Sequence, residues 1–129
     1  MENLNKQLIN ALNIGDIENV RHLIGNGADV NTKDDDEWTP LHYVSMLGYK
    51  DIAEILIRNG ADVNIIDNCK YTPLHYASIW NNKDIVELLI ESNANVNVKD
   101  YLGYTPFSYA LERGNQEIIQ LLKEHGAKI

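Results

Sequence analysis

Apolar residues recur along the chain at helical spacing, in pairs of short stripes. The first pair is Leu4, Leu8, Ala11 and Leu12, followed by Val20, Leu23 and Ile24. Residues three and four apart share one face of a helix, so each stripe predicts an amphipathic helix. Asn5, Gln7, Asn10 and Asn13 are left to face water, and Gly15 breaks the first helix. The pattern returns three times, predicting helices at about 40–47 and 50–59, 73–80 and 83–91, and 106–113 and 116–124. The second helices carry Ile52, Ile55, Leu56 and Ile57, then Ile85, Leu88, Leu89 and Ile90, then Ile118, Ile119, Leu121 and Leu122 as their inner sides. Gly48, Asn81 and Gly114 stop the first helix of each pair.

The punctuation between stripes is itself periodic. Thr39-Pro40-Leu41-His42-Tyr43-Val44 recurs 33 residues later as Thr72-Pro73-Leu74-His75-Tyr76-Ala77, and again as Thr105-Pro106-Phe107-Ser108-Tyr109-Ala110. Residues 34–66 laid over 67–99 give 16 identities without a gap. A fixed period of this length marks a stacked array of small units. Thr39, Thr72 and Thr105 suit a helix N-cap, where the hydroxyl accepts from a free backbone N–H. Pro40, Pro73 and Pro106 follow at the first helical position, where their missing N–H costs nothing. Small residues at Val44 and Ala77 let neighbouring helices approach. A closing phrase ends each unit: Asn26-Gly27-Ala28-Asp29-Val30-Asn31, Asn59-Gly60-Ala61-Asp62-Val63-Asn64, Ser92-Asn93-Ala94-Asn95-Val96-Asn97, and a fourth begun as His125-Gly126-Ala127-Lys128-Ile129. Gly27, Gly60, Asn93 and Gly126 fit the left-handed residue that terminates a helix.

The 129 residues suffice for one domain, and 44% hydrophobic with 23% charged residues is ordinary for a folded chain. No apolar run approaches the roughly 18 residues of a membrane helix. The start, Met1-Glu2-Asn3-Leu4-Asn5-Lys6, is polar and unlike a signal peptide. Cys69 stands alone, which excludes an internal disulfide and fits a reducing compartment. A net charge of −8 argues against nucleic-acid phosphate and anionic membrane as partners. Polar ends predict a single domain, residues 1–129, built as four units: an N-terminal cap 1–33, repeats 34–66 and 67–99, and a C-terminal cap 100–129, with no linker or further domain.

These motifs resemble the ankyrin repeat across essentially the whole chain: the period, Thr-Pro-Leu-His, the mid-unit Gly and the Gly-Ala-Asp-Val-Asn close agree in phase. The resemblance implies an all-α solenoid of helix-turn-helix units with projecting β-turn fingers. It also implies a cytoplasmic protein-binding scaffold, acting in its own or a host cell, without enzymatic chemistry or cofactor. A monomer is expected, with a self-assembling scaffold as the alternative. Two departures stand out. The family's finger has Gly four residues into the unit; Gly103 matches, but Glu37 and Lys70 hold the other two places. Ser108 replaces the motif His, which predicts a weaker stacking contact in the last unit.

In the family, contacts come from the second, third and fifth residues of a unit and from the thirteenth and fourteenth. Carried over, these are Asp35, Asp36 and Trp38; Asn68, Cys69 and Tyr71; Tyr101, Leu102 and Tyr104; and on the helices Met46 and Leu47, Ile79 and Trp80, Glu112 and Arg113. The set holds both tryptophans. An aromatic and apolar patch at positions the fold leaves open usually marks an interaction site. Asp35, Asp36 and Glu112 add an acidic rim, so the expected partner is a protein with basic residues around an apolar patch.

Catalytic readings fare poorly. His42 and His75 repeat at the position where the family bonds a neighbouring loop's backbone, and no acid completes a triad with Ser45 or Ser78. Asp34-Asp35-Asp36-Glu37 lacks the spacing of a calcium loop and reads as a solvated acidic finger. Cys69 reads as an exposed fingertip thiol beside Lys70. No phosphate loop or zinc spacing is present. Asn31, Asn64 and Asn97 read as turn residues that bond the next finger's backbone, with hydroxylation as the family's alternative.

Overall fold

Thr39, Thr72 and Thr105 each open a helix as the N-cap, with Pro at its first position. Each sits in a reciprocal box. The His42 N–H donates to the Thr39 hydroxyl at 3.4 Å, and the Thr39 N–H donates to His42 Nδ1 at 3.0 Å. His75 repeats this with Thr72, and Ser108 with Thr105. Two of the four orphan donors of each helix start are thereby satisfied.

The structure, a computed structural model, describes residues 3–128. Met1, Glu2 and Ile129, which belong to the polar start and the truncated closing phrase, lie outside them. The described residues form eight helices and no strand: α1 Leu4–Asn13, α2 Ile17–Gly25, α3 Pro40–Leu47, α4 Lys50–Arg58, α5 Pro73–Ile79, α6 Lys83–Glu91, α7 Pro106–Arg113 and α8 Gln116–Glu124. The predicted ends hold to within a residue: Asn59 and Trp80 are C-caps rather than helical residues. The first helices pack in one row, α1 on α3 on α5 on α7, and the second helices in another, α2 on α4 on α6 on α8.

The core runs between the two rows. Leu8, Leu12, Val20, Leu41, Val44, Leu56, Leu74, Ala77, Leu89, Ala110, Ile118 and Leu122 have essentially no exposure. The expected inner sides need one adjustment. Ala53 and Val86 are fully buried, whereas Leu4, Ile24, Ile57, Leu88, Ile90, Ile119 and Leu121 only flank the core. The reason is that a second helix has the first row on one side and water on the other. Its buried arc is therefore narrower than its apolar stripe and centres on the small Ala53 and Val86.

Side-chain amides join the units. Asn82 Nδ2 donates to the carbonyls of Ser45 and Met46 at 2.8 and 3.0 Å, and Asn115 Nδ2 donates to that of Ser78. The Asn82 joint needs Gly48. This residue has φ +86°, and a Cβ there would lie 2.9 Å from Asn82 Oδ1. The closing asparagines correct the expectation made for them. Asn31 accepts from the Asp62 N–H and donates to the Gly60 carbonyl; Asn97 does the same with Lys128 and Gly126. Asn64 accepts from the Asn95 N–H. They reach the next unit's closing phrase, not its finger, because the phrases stack directly on one another. Asn5 accepts from the Asp29 N–H, as Asn31 and Asn64 do from Asp62 and Asn95.

Glu37 and Lys70 do adopt the left-handed backbone, with φ of 62° and 64°, where Gly103 has 86°. A side chain costs about 1 kcal/mol in that region. Lys70→Gly is therefore expected to raise stability by about 0.5–1 kcal/mol and the melting temperature by a few degrees. A scanning-calorimetry midpoint that is unchanged or lower would show that Lys70 contributes compensating contacts.

Candidate functional site

The fingers are built on one aspartate each. Asp34 Oδ1 accepts from the N–H groups of Asp36 and Trp38, Asp67 Oδ1 from those of Cys69 and Tyr71, and Asp100 Oδ1 from those of Leu102 and Tyr104. The other carboxylate oxygen accepts from a tyrosine on the following helix: Tyr43, Tyr76 and Tyr109 in turn. Burial, and then the carboxylate acceptor, raise all three phenol pKa values well above the ordinary range. The acidic finger is thus not uniformly solvated. Asp35, Asp36 and Glu37 are exposed, but Asp34 is a half-buried strut, and Asp67 and Asp100 are buried. The signal was present as Asp and Tyr nine residues apart, repeated three times at one period. In the first unit it is masked by three further acids.

Successive fingers are linked by backbone bonds, Asn68 N–H to the Asp36 carbonyl and Tyr101 N–H to the Cys69 carbonyl. Each histidine then ties a helix to the next finger. His42 Nε2 lies 2.9 Å from the Tyr71 carbonyl, and His75 Nε2 lies 3.0 Å from that of Tyr104. With Nδ1 accepting from a threonine N–H, the ring proton sits on Nε2 and is donated to the carbonyl. Burial pushes both imidazole pKa values down, and the carbonyl bonds only partly oppose it. Both ring nitrogens of both residues are spent on structure. Ser108 keeps the cap but reaches no further finger among the described residues.

The contact residues divide into two kinds. Trp38 and Tyr71 are half-buried members of an aromatic ladder. Trp38 lies 5.0 Å from Tyr43 and 4.5 Å from Tyr76; Tyr71 lies 5.2 Å from Tyr76 and 6.1 Å from Tyr109. Much of their surface is already used, since fingers and first helices need packed rings to hold their spacing. Cys69 is half-buried rather than exposed, because its own N–H turns inward to Asp67. Met46 and Ile79 are also half-buried. Asp35, Asp36, Asn68, Leu47, Trp80, Tyr101, Leu102, Tyr104, Glu112 and Arg113 are open to solvent. Trp80 is 55% exposed.

Ile14, at 77% exposure, extends the helix row and was not expected. It lies 33 residues before Leu47, so counting one period back would have found it. Ile14, Leu47, Trp80 and Arg113 hold the same place in four successive units. The surface is acidic at one place: residues 34–66 carry seven carboxylates against two cations, while every other unit carries four against three. No described helix is long and apolar enough to cross a membrane.

Models of ankyrin repeats match the chain over residues 8–100, as three copies, and over residues 102–129, as one. Among curated proteins, protein phosphatase 1 regulatory subunit 27 of Mus musculus is 46% identical over 42 residues, which is 33% of this chain and 27% of that protein. Serine/threonine-protein kinase 12 of Arabidopsis thaliana is 42% identical over 50 residues, 39% of this chain and 11% of that one. Protein VAPYRIN-LIKE of Medicago truncatula is 42% identical over 41 residues, 32% of this chain and 9% of that one. The matches thus span about a quarter or less of these relatives' lengths.

Proposed function

Since the chain belongs to the ankyrin-repeat family, whose repeats are generic protein–protein interaction modules, we propose that it is a non-enzymatic binding module that grips a protein partner along its fingers and first-helix ends. The observation that carries this reading is the row of exposed apolar residues Ile14, Leu47 and Trp80, repeated at one-unit spacing, together with the exposed Tyr101, Leu102 and Tyr104 of the last finger. Folding gains nothing from the half of a tryptophan left in water, whereas exposed Trp and Tyr are the residues that dominate interfaces. The resemblance of part of the chain to a phosphatase regulatory subunit fits a regulatory binding role.

The partner's chemistry follows from charge. Asp35, Asp36 and Glu37 project from the finger of the most acidic unit, and Glu112 lies on the last first helix. A basic segment beside an apolar one complements that surface and is steered to it. The module acts in a cytoplasm, where a lone thiol such as Cys69 stays reduced.

Leu47→Ala/Trp80→Ala tests the reading, because both side chains are exposed and the fold tolerates their loss. A protein captured from cytosolic extract by the wild type is expected to bind the double variant at least about tenfold more weakly, with helicity unchanged. Asp35→Asn/Asp36→Asn is expected to slow association and to flatten its salt dependence. Equal capture by wild type and Leu47→Ala/Trp80→Ala would move the site off this row.

A further inference from the structure

Ring contacts run without a break across the fingers. Trp38 lies 4.5 Å from Tyr76, Tyr76 lies 5.2 Å from Tyr71, and Tyr71 lies 6.4 Å from Tyr101. The first contact crosses from residues 34–66 into the next unit, and the last crosses into the unit after that. The path starts at a half-buried indole and ends at a phenol that is 60% exposed. Tyr101 holds the second place of its finger. That place is exposed in all three fingers, as Asp35, Asn68 and Tyr101, so access to water is a property of the finger itself. The hydroxyls add a second feature. Tyr76 donates to Asp67. The Tyr71 hydroxyl lies 3.3 Å from that of Tyr109, whose own proton is donated to Asp100, so Tyr71 is the donor of that pair. Both inner phenols thus have a carboxylate to receive the proton, one directly and one through a further hydroxyl. A phenol gives up an electron readily when its proton can leave with it.

We propose that Trp38, Tyr76, Tyr71 and Tyr101 form an electron-transfer path, by which a one-electron radical oxidant that strikes Trp38 leaves its oxidation on the exposed Tyr101. The oxidant removes an electron from Trp38. The indole recovers one from Tyr76, and the Tyr76 proton moves to Asp67. Tyr76 then takes an electron from Tyr71 and its own proton back from Asp67. The Tyr71 proton moves to Tyr109 as the Tyr109 proton moves to Asp100. Last, Tyr71 takes an electron from Tyr101, its proton returns through the same hydroxyls, and the Tyr101 proton goes to water. The net change is one electron to the oxidant, one proton to water and a phenoxyl radical on Tyr101, where a soluble reductant reaches it. The direction is downhill, because at neutral pH an oxidised indole takes an electron from a phenol. The path does not involve Trp80 and is independent of the partner-binding reading.

Pulse radiolysis with the azidyl radical, which oxidises indole in preference to phenol, tests the path. Tyr43 also touches Trp38, at 5.0 Å, and Trp80 is a second indole, so the background is Tyr43→Phe/Trp80→Phe. Indolyl absorption is expected to decay as phenoxyl absorption grows, at a rate independent of protein concentration and slower in heavy water. Tyr76→Phe keeps the ring and removes the hydroxyl. It is expected to slow this transfer at least about tenfold, equivalent to about 1.4 kcal/mol of barrier. Ascorbate is expected to reduce the final radical at least about tenfold more slowly in Tyr101→Phe/Tyr104→Phe, where Tyr104 is changed as well because it touches Tyr109. A rate proportional to protein concentration would overturn the inference, as would one unchanged by Tyr76→Phe or by heavy water. Ascorbate reduction indifferent to Tyr101→Phe/Tyr104→Phe would also overturn it.

Discussion

Asp67→Ala is expected to destabilise the protein by about 3–5 kcal/mol, while Asp35→Ala changes stability by less than about 0.5 kcal/mol. The two residues are chemically alike and hold neighbouring places in successive fingers. Asp67 is buried and accepts from two backbone N–H groups and the Tyr76 hydroxyl; Asp35 is exposed. A hydrogen bond to a charged acceptor contributes about 1.5–3 kcal/mol, and each donor left unmet in a buried place costs about 1–3 kcal/mol. Losing three such bonds outweighs the relief of desolvating one carboxylate. Asp67→Asn separates the parts of the effect. It retains an acceptor oxygen for the backbone donors, so it is expected to recover about half of the loss. Urea titration checks this through the midpoint at constant slope. A loss below about 1 kcal/mol for Asp67→Ala would mean that the backbone bonds between fingers hold the turn without the carboxylate.

Mild acid is expected to destabilise the protein between pH 7 and pH 5, before most carboxylates titrate. His42 and His75 are buried, and burial holds their pKa values below the usual 6.5. Such an imidazole stays neutral in the fold and takes up a proton once unfolded. Below about pH 6.5 the unfolded chain therefore binds more protons, and stability falls as pH falls. The full contribution is present above that value. Each histidine supplies at most about 1.4 kcal/mol per pH unit, so the slope for the pair has a ceiling of about 2.8 kcal/mol per pH unit. The groups facing them moderate the effect without reversing it: Asp67 favours the charged form of both rings and Asp100 that of His75, while Lys33 disfavours it at His42. Geometry agrees with the sign. Protonation would place a hydrogen on Nδ1, against the Thr39 or Thr72 N–H that it now accepts. The urea midpoint of His75→Asn is expected to lose about half of the wild-type pH dependence. A wild-type profile flat from pH 7 to pH 5 would show that both rings charge within the fold.

These two sets of residues also mark the limit of what the chain disclosed unaided. The helix pairs were legible because Thr-Pro starts, Gly or Asn stops and apolar stripes are local signals, each complete within about four residues. The role of His42 was legible through the family resemblance, in which the motif histidine bonds the backbone of a neighbouring loop. The role of Asp34 was not, since a carboxylate within a run of four acids looks solvated until Tyr43 is known to lie over it. Ala53 and Val86 were missed for a related reason. A stripe of large residues shows which side of a helix is apolar, but not where a neighbouring helix centres its contact. The candidate face was only partly legible. Positions gave Trp80 and Trp38 equal standing. Their different burial follows from Tyr76 lying on Trp38, which is a property of the joint rather than of either residue.

The joints have one more property, and it concerns time rather than stability. The side-chain hydrogen bonds described between one unit and the next, from Asn31–Gly60 and His42–Tyr71 to Tyr71–Tyr109, join residues 29 to 38 apart. None skips a unit. Closing a loop of that size costs little more entropy than closing a shorter one, since the cost grows only with the logarithm of length. Low sequence separation among native contacts favours fast folding. No single joint must form before the others, so structure can start at any of them and spread in both directions.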